Sequence, residues 1–279
     1  MRGRGVFYSN MHEFARVLRA IIHGAVQLKK LPDISNKWNR AQVSSVRMIM
    51  GYVLLAGGAE FGGAMAMADR RAIELAGGSK ARLSIIPAAA APDGNHEHAG
   101  KNGVDWFQKL GAEHVAALPL IDRQSADDVT VAKALLQSRL IYLPGGFPRH
   151  LAQSLAGSKS WQAMLKAHQT GAVIAGSSAG AMILCAHYYD PYEKKIFKGL
   201  GLIPNACVLP HHNTFGRSWS RELARRLGGV VLIGIDEKTG MINDGPTGRW
   251  QVYGAGGITR YRNGRITHFH SGEPFDLEN

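Results

Sequence analysis

Ala172-Val-Ile-Ala-Gly176-Ser177-Ser178-Ala179-Gly180-Ala181-Met-Ile-Leu184 reads as a buried β-strand that passes through Gly-x-Ser-x-Gly directly into a helix. That context puts Ser178 at the apex of a tight strand-to-helix turn. The glycines at 176 and 180, with Ala179 and Ala181 beside them, let strand and helix approach closely and tolerate the strained backbone that a nucleophile at the tip requires. The same turn offers the Ala179 amide to an oxyanion forming beside Ser178. By itself the segment also fits a plain turn or a phosphate loop made of small residues, so the flanking sequence has to decide.

On both sides of the turn the chain alternates. Short apolar runs at 51–56, 83–86, 114–118, 140–143, 172–175 and 230–235 are separated by helical patterns at 64–76, 103–110, 126–137, 161–168 and 179–186. Strand and helix in alternation predict a mostly parallel sheet covered on both faces, a doubly wound α/β domain. Beyond residue 239 the pattern changes to short strands at 240–243, 250–253, 257–261 and 266–269. The Asn263-Gly264 dipeptide between the last two is a hairpin signal. These strands predict an antiparallel extension closing one edge of the sheet.

In such a sheet, ligands bind beyond the carboxyl ends of the strands. Leu140-Ile-Tyr-Leu-Pro144-Gly145-Gly146-Phe147 ends a neighbouring strand in a second glycine loop, and an N–H of Gly145 or Gly146 would complete an oxyanion hole. A serine needs a base and the base an orienting acid. The run from Gly199 to Leu209 ends in Pro210-His211-His212-Asn213, and the apolar run 230–235 ends in Asp236-Glu237. Alternation along a strand turns one of those two carboxylates toward the crevice. Residue pattern alone leaves Asp236, Glu237, Asp190 and Glu193 all open as the acid, the last two lying between serine and histidine in the order that α/β-hydrolases use. His96-Glu97-His98 matches no zinc spacing and reads as a solvated loop. The His211-His212 pair has no further paired ligands nearby, and no metal or cofactor is expected.

The chain has 279 residues with 45% hydrophobic and 19% charged side chains, enough to bury a sizeable core. Charges or glycines interrupt every apolar run before it reaches transmembrane length. Two cysteines, Cys185 and Cys207, make no disulfide framework, which fits a reducing cytoplasm. Of the formal net charge of +12, the first 47 residues carry +7, nine basic against two acidic side chains. The basicity is therefore largely a property of an N-terminal extension, 1–47, with an amphipathic helix pattern over 11–28. Residues 48–279 read as a single catalytic α/β domain. The extension has no aromatic interleaving and no nucleic-acid module. A small peptide substrate is the expected partner, with no nucleic acid and no membrane span, and a homodimer is left open.

Six segments in order, Leu54-Leu-Ala-Gly-Gly58, Leu143-Pro-Gly-Gly146, Gly176-Ser-Ser-Ala-Gly180, Gly199-Leu-Gly-Leu-Ile-Pro204 leading to His211, Ile233-Gly-Ile-Asp-Glu237 and Trp250-Gln-Val-Tyr-Gly-Ala-Gly-Gly257, give the chain its affinity. Over roughly residues 50–270 it resembles the peptidase family that contains cyanophycinase and peptidase E, the aspartyl dipeptidase. That family looks like the class I glutamine amidotransferase fold with serine as nucleophile. The resemblance implies Ser178 as nucleophile, His211 as base, Glu237 as third member, and N–H groups near Gly146 and of Ala179 as oxyanion hole. Arg217, Arg149 or Arg221 would hold a substrate carboxylate. The chain departs from the family at Phe147-Pro148-Arg149, at Leu209-Pro210 before the histidine, and at Phe215-Gly216-Arg217 after it, all positions that shape the pocket for an aspartyl group. A serine peptidase acting on short or isopeptide-linked peptides is the expectation; its rivals are another amide or ester hydrolase and a non-catalytic binding protein.

Overall fold

The computed structural model describes residues 51–278. The basic extension 1–47, with its expected helix over 11–28, lies outside the described residues.

Five strands form the parallel part of the main sheet: β1 (Val53–Ala56), β2 (Arg82–Ile85), β3 (His114–Ala117), β4 (Leu140–Leu143) and β5 (Val173–Ser177), in spatial order β3-β2-β4-β5-β1. Between them run α1 (Ala66–Leu75), α2 (His96–Lys109), α3 (Arg123–Ala126), α4 (Val129–Leu136), α5 (Pro148–Leu155) and α6 (Lys159–Gln169), and α7 (Ala179–Leu184) follows β5. Successive strand residues feed two separate apolar clusters, because side chains alternate across a pleated strand. Val53, Leu55, Ile141, Leu143 and Ile174 pack with Leu135, Leu151, Met164 and Ile183 of α4 to α7. Leu54, Leu140, Tyr142, Val173 and Ala175 pack with Ala68, Ala72 and Ile73 of α1 and with Trp106 and Phe107 of α2. The uninterrupted apolar runs of the sequence follow from this burial on both faces.

The remaining strands are β6 (His187–Asp190), β7 (Lys195–Lys198), β8 (Ala206–Leu209), β9 (Val231–Ile235), β10 (Thr239–Ile242), β11 (Trp250–Gly254), β12 (Ile258–Arg262), β13 (Arg265–Phe269) and β14 (Pro274–Phe275), with α8 (Ser220–Arg226) before β9. The expected antiparallel extension forms, but only in part as foreseen. β10, β11 and β14 continue the main sheet from β1, whereas β12 and β13 pair with β9 and β8 in a separate four-stranded sheet. The apolar run 230–235 thus belongs to this second sheet and not to the parallel one. An apolar run records that a strand is buried, not which neighbour it pairs with. Asn263-Gly264 makes the β12–β13 turn with positive φ at both residues, 49° and 77°. Besides α3 and β14, three larger features went unread. Pro148 at the first helical position starts α5, where the sequence suggests only a turn; the β6–β7 hairpin and α8 are the others. His96-Glu97-His98 sits on the first turn of α2 rather than in a loop.

Asp69 on α1 is wholly buried, and its Oδ2 accepts a hydrogen bond from Trp106 Nε1 at 2.8 Å. Burial pushes its carboxyl up from 3.8 to about 7; the Trp106 bond opposes the shift and the nearby Glu60 adds to it. As pH rises from about 4 to about 7, the unfolded carboxyl is already ionised while the folded one keeps its proton, so stability falls across that window and levels off above it. Asp69→Asn removes this cost. The stability of the variant relative to the parent, followed by thermal unfolding, should grow between pH 4 and pH 8 by on the order of 4 kcal/mol. A pH-independent difference would refute the raised pKa.

Candidate active site

Ser178 stands between β5 and α7 with φ 48° and ψ −111°, a left-handed conformation that a side chain other than glycine adopts at a cost. Its amide donates to the Ala56 carbonyl at 3.0 Å, and its carbonyl accepts the first bond of α7, from Met182 N, at 3.0 Å. The turn is possible because α7 runs against β4 with no Cβ between them: one at Gly180 would lie 2.0 Å from the Leu143 carbonyl oxygen.

His211 follows β8 and also has a positive φ, 49°. Its Nε2 is 2.9 Å from Ser178 Oγ, and its Nδ1 is 2.8 Å from Glu237 Oε1. Asp236 is 3.5 Å from the neighbouring His212 instead. The adjacent strand ends of β8 and β9 thus carry two parallel histidine–carboxylate pairs, and alternation sends them in different directions. The His212 pair faces Tyr261 of β12, whose hydroxyl is 2.8 Å from His212 Nε2, while Asp236 Oδ2 accepts from Gly257 N at 2.9 Å. Burial pushes the His212 imidazole below the usual histidine range, against the pull of Asp236. Glu237 is held by its own amide, which donates to Asn213 Oδ1 at 2.9 Å. Of the other acids left open, Asp190 Oδ1 accepts from the amides of Tyr192 and Glu193 within its own hairpin turn, and Glu193 pairs with Arg149.

The end of β1 ties these parts together. Gly57 O accepts from His211 N at 2.7 Å and Gly58 O accepts from Lys238 N at 3.0 Å, so one short loop braces both the histidine and the segment bearing Glu237. A Cβ on Gly58, at φ 116°, would lie 2.2 Å from His211 Cε1. The imidazole also stacks on the half-exposed ring of Phe215, with centroids 4.8 Å apart.

In the second glycine loop the Gly145 amide donates to Glu60 Oε1 at 2.7 Å, and the Phe147 amide donates to the Ala89 carbonyl at 2.8 Å. Gly146 lies between them, and among the described residues neither its amide nor that of Ala179 has a protein acceptor. Sequence reasoning missed Glu60. Its one available signal was position: a carboxylate just past Gly57-Gly58, at the carboxyl end of a parallel strand. Sequence reasoning also missed Asn213, and it named Phe215 only as a pocket-shaping position, not as the ring stacked on His211. Of the three arginines, Arg149 pairs with Glu193 at 2.8 Å and lies 4.1 Å from the centre of the Phe197 ring. Arg217 and Arg221 flank the start of α8 without an ion-pair partner among the described residues. No three His, Cys, Asp or Glu side chains among the described residues converge as metal ligands, and no described helix is long and apolar enough to cross a membrane.

Residues 53–248 match the family model for peptidase family S51. The chain belongs to that family. It is accordingly a serine-type peptidase, a hydrolase. This S51 peptidase is 30% identical over 226 residues to the cyanophycinases of Trichormus variabilis and of a Nostoc species, covering 73% of this chain and 72% of each relative. Among solved structures it resembles a peptidase from an acI-B1 actinobacterium, with a TM-score of 0.72, 29% identity, and coverage of 82% of this chain and 98% of the other. A putative peptidase E from Listeria monocytogenes shares the fold, at a TM-score of 0.50 and 17% identity over 78% of this chain and 98% of the other.

The contact between Gly58 and the imidazole makes a direct test. In Gly58→Ala the added methyl group should drive the His211 ring out of hydrogen-bond range of Ser178 Oγ, which a crystal structure of the variant reads. An undisplaced ring would mean that the backbone, not the ring, gives way.

Proposed function

We propose that this S51 peptidase cleaves peptide bonds through an acyl-enzyme formed on Ser178. The observation that carries the reading is the continuous chain from Ser178 Oγ through both nitrogens of His211 to Glu237, with contacts of 2.9 and 2.8 Å. His211 Nε2 takes the proton as Ser178 Oγ attacks the carbonyl carbon. It then returns that proton to the leaving amine. Glu237 at Nδ1 selects the tautomer that leaves Nε2 free to accept, and stabilises the imidazolium once it forms. Water then releases the acyl group by the same steps. The amides of Gly146, in the second glycine loop, and of Ala179, at the start of α7, stabilise the negative charge on the carbonyl oxygen; such donors typically contribute about 10²–10³ in rate each. The reading also takes residues 48–279 as one catalytic domain and the sheet as the doubly wound, class I glutamine amidotransferase-like arrangement. The parallel order β3-β2-β4-β5-β1, with helices packed on both faces, supports that arrangement.

The substrate is a short or isopeptide-linked peptide. The relatives named cyanophycinase suggest an aspartyl linkage. Arg217 and Arg221, without carboxylate partners among the described residues, are then the groups for a substrate carboxylate. Arg149 already has one in Glu193, and this observation favours a second reading, in which the same machinery hydrolyses amides or esters outside the aspartyl class.

The test compares the wild-type protein with its Ser178→Ala variant on α- and β-aspartyl dipeptides, neutral dipeptides and cyanophycin, following amine release. Cleavage by the wild type should fall by about 10³-fold or more in Ser178→Ala, and by about 10²–10⁴-fold in Glu237→Gln, with thermal unfolding little changed. Hydrolysis that survives in Ser178→Ala would sink the assignment.

A further inference from the structure

Among the described residues, Glu60 is an acidic side chain beside Ser178 that the catalytic reading leaves without a task. It lies in the loop after β1, and the residues on either side of it, Ala59 and Phe61, both have positive φ, 55° and 62°. Two side chains other than glycine held in the left-handed region within three residues is strain that the surroundings must impose, and it aims Glu60 inward. The carboxylate is divided between two partners. Oε1 accepts from Gly145 N at 2.7 Å and Oε2 accepts from Ser177 Oγ at 2.7 Å. One rigid group therefore joins the second glycine loop to the residue immediately before the nucleophile. There is no slack in the joint: a Cβ on Gly145 would lie 2.9 Å from Glu60 Oε1 and 3.2 Å from Ser178 Cβ.

We propose that Glu60 is a positioning residue that orients the oxyanion-binding loop relative to Ser178. The inference rests on the reading given under Proposed function. Along that loop the amides alternate in their use. Gly145 is pinned by Glu60 and Phe147 by the Ala89 carbonyl at 2.8 Å, so the Gly146 peptide between them has its orientation set from both ends. Without the carboxylate, nothing else described here accepts the Gly145 N–H, and the peptide carrying the Gly146 amide is free to rotate. A donor that must sit 2.7–3.1 Å from a developing charge loses most of its effect when it turns away. Because hydrogen-bond acceptance at the right reach does the positioning, side-chain length matters more than charge. A glutamine can accept from Gly145 N with its carbonyl oxygen and donate to Ser177 Oγ with its amide. An aspartate, one methylene shorter, keeps the charge and loses the reach.

The experiment measures the second-order rate at which a fluorophosphonate probe labels the full-length protein and its Glu60→Gln, Glu60→Asp, Glu60→Ala and Ser178→Ala variants. In labelling, Ser178 Oγ bonds to phosphorus, fluoride leaves, the serine proton passes to His211, and the phosphoryl oxygen takes the place of the oxyanion. Thermal unfolding is recorded alongside. The expected order is wild type and Glu60→Gln within about threefold of each other, with Glu60→Asp and Glu60→Ala at least about tenfold slower, the size of a weakened oxyanion donor. Glu60→Asp labelling at the wild-type rate would overturn the proposal, and so would Glu60→Gln labelling as slowly as Glu60→Asp. The ordering of those two variants decides the matter even where Glu60→Ala does not fold. A wild-type protein that resists labelling, or labelling that persists in Ser178→Ala, would instead count against Ser178 as nucleophile, so the two failures are distinct.

Discussion

The backbone at Ser178, at φ 48° and ψ −111°, is the constraint on which the neighbouring structure depends. Such a conformation costs of order 1–3 kcal/mol and persists only where its surroundings over-determine it. Here β5 is hydrogen-bonded on both sides, to β1 and to β4. α7 is pressed onto β4 so tightly that the Gly180 position has no room for a methyl group. The buried aliphatic residues of two clusters hold that sandwich closed. The strain is thus stored in a turn that cannot relax without separating α7 from the sheet.

Around this turn, positive φ values gather at the residues that bear the site: Ala59 and Phe61 beside Glu60, Ser178, His211, and Lys238 next to Glu237. Each stands at or just past the carboxyl end of a strand, where the ladder of backbone hydrogen bonds gives out and a side chain can be turned toward the crevice. Two of these strands, β8 and β9, are in the smaller sheet, and the other two, β1 and β5, in the larger. Bonds from His211 N and Lys238 N to the carbonyls of Gly57 and Gly58 join the sheets at this point. The geometry of the site is therefore a property of how the two sheets meet, braced by the backbone carbonyls of Gly57 and Gly58.

The departures from the family pattern differ in character from the Ser178–His211–Glu237 chain. Phe147 stacks on Tyr192 at 4.9 Å, Arg149 is neutralised by Glu193 and lies over Phe197, and Phe215 covers one side of His211. The β6–β7 hairpin supplies Phe197, and its turn supplies Tyr192 and Glu193. This hairpin converts the Phe147-Pro148-Arg149 departure from a set of free recognition groups into a packed wall. Arg217 and Arg221 have no such partners among the described residues.

Much of this was legible in the order of residues. The alternation of apolar runs with helical patterns, the Gly-x-Ser-x-Gly turn between a strand and a helix, the second glycine loop and the Asn263-Gly264 hairpin are local signals, because periodicity and turn chemistry act over a few neighbouring residues. The sequence by itself determined that a strained serine turn and a glycine loop would stand at the ends of two adjacent parallel strands. It did not determine the partners of β9, whose apolar run fits either sheet. Nor did it separate Glu237 from Asp236, since both end the same strand and only the placement of His211 and His212 across the gap assigns one carboxylate to each imidazole. Glu60 and Arg149 were settled by tertiary structure alone for the same reason. Which of several reachable partners a long charged side chain takes depends on distances between segments 85 residues apart for Glu60 and Gly145, and no local pattern encodes those distances.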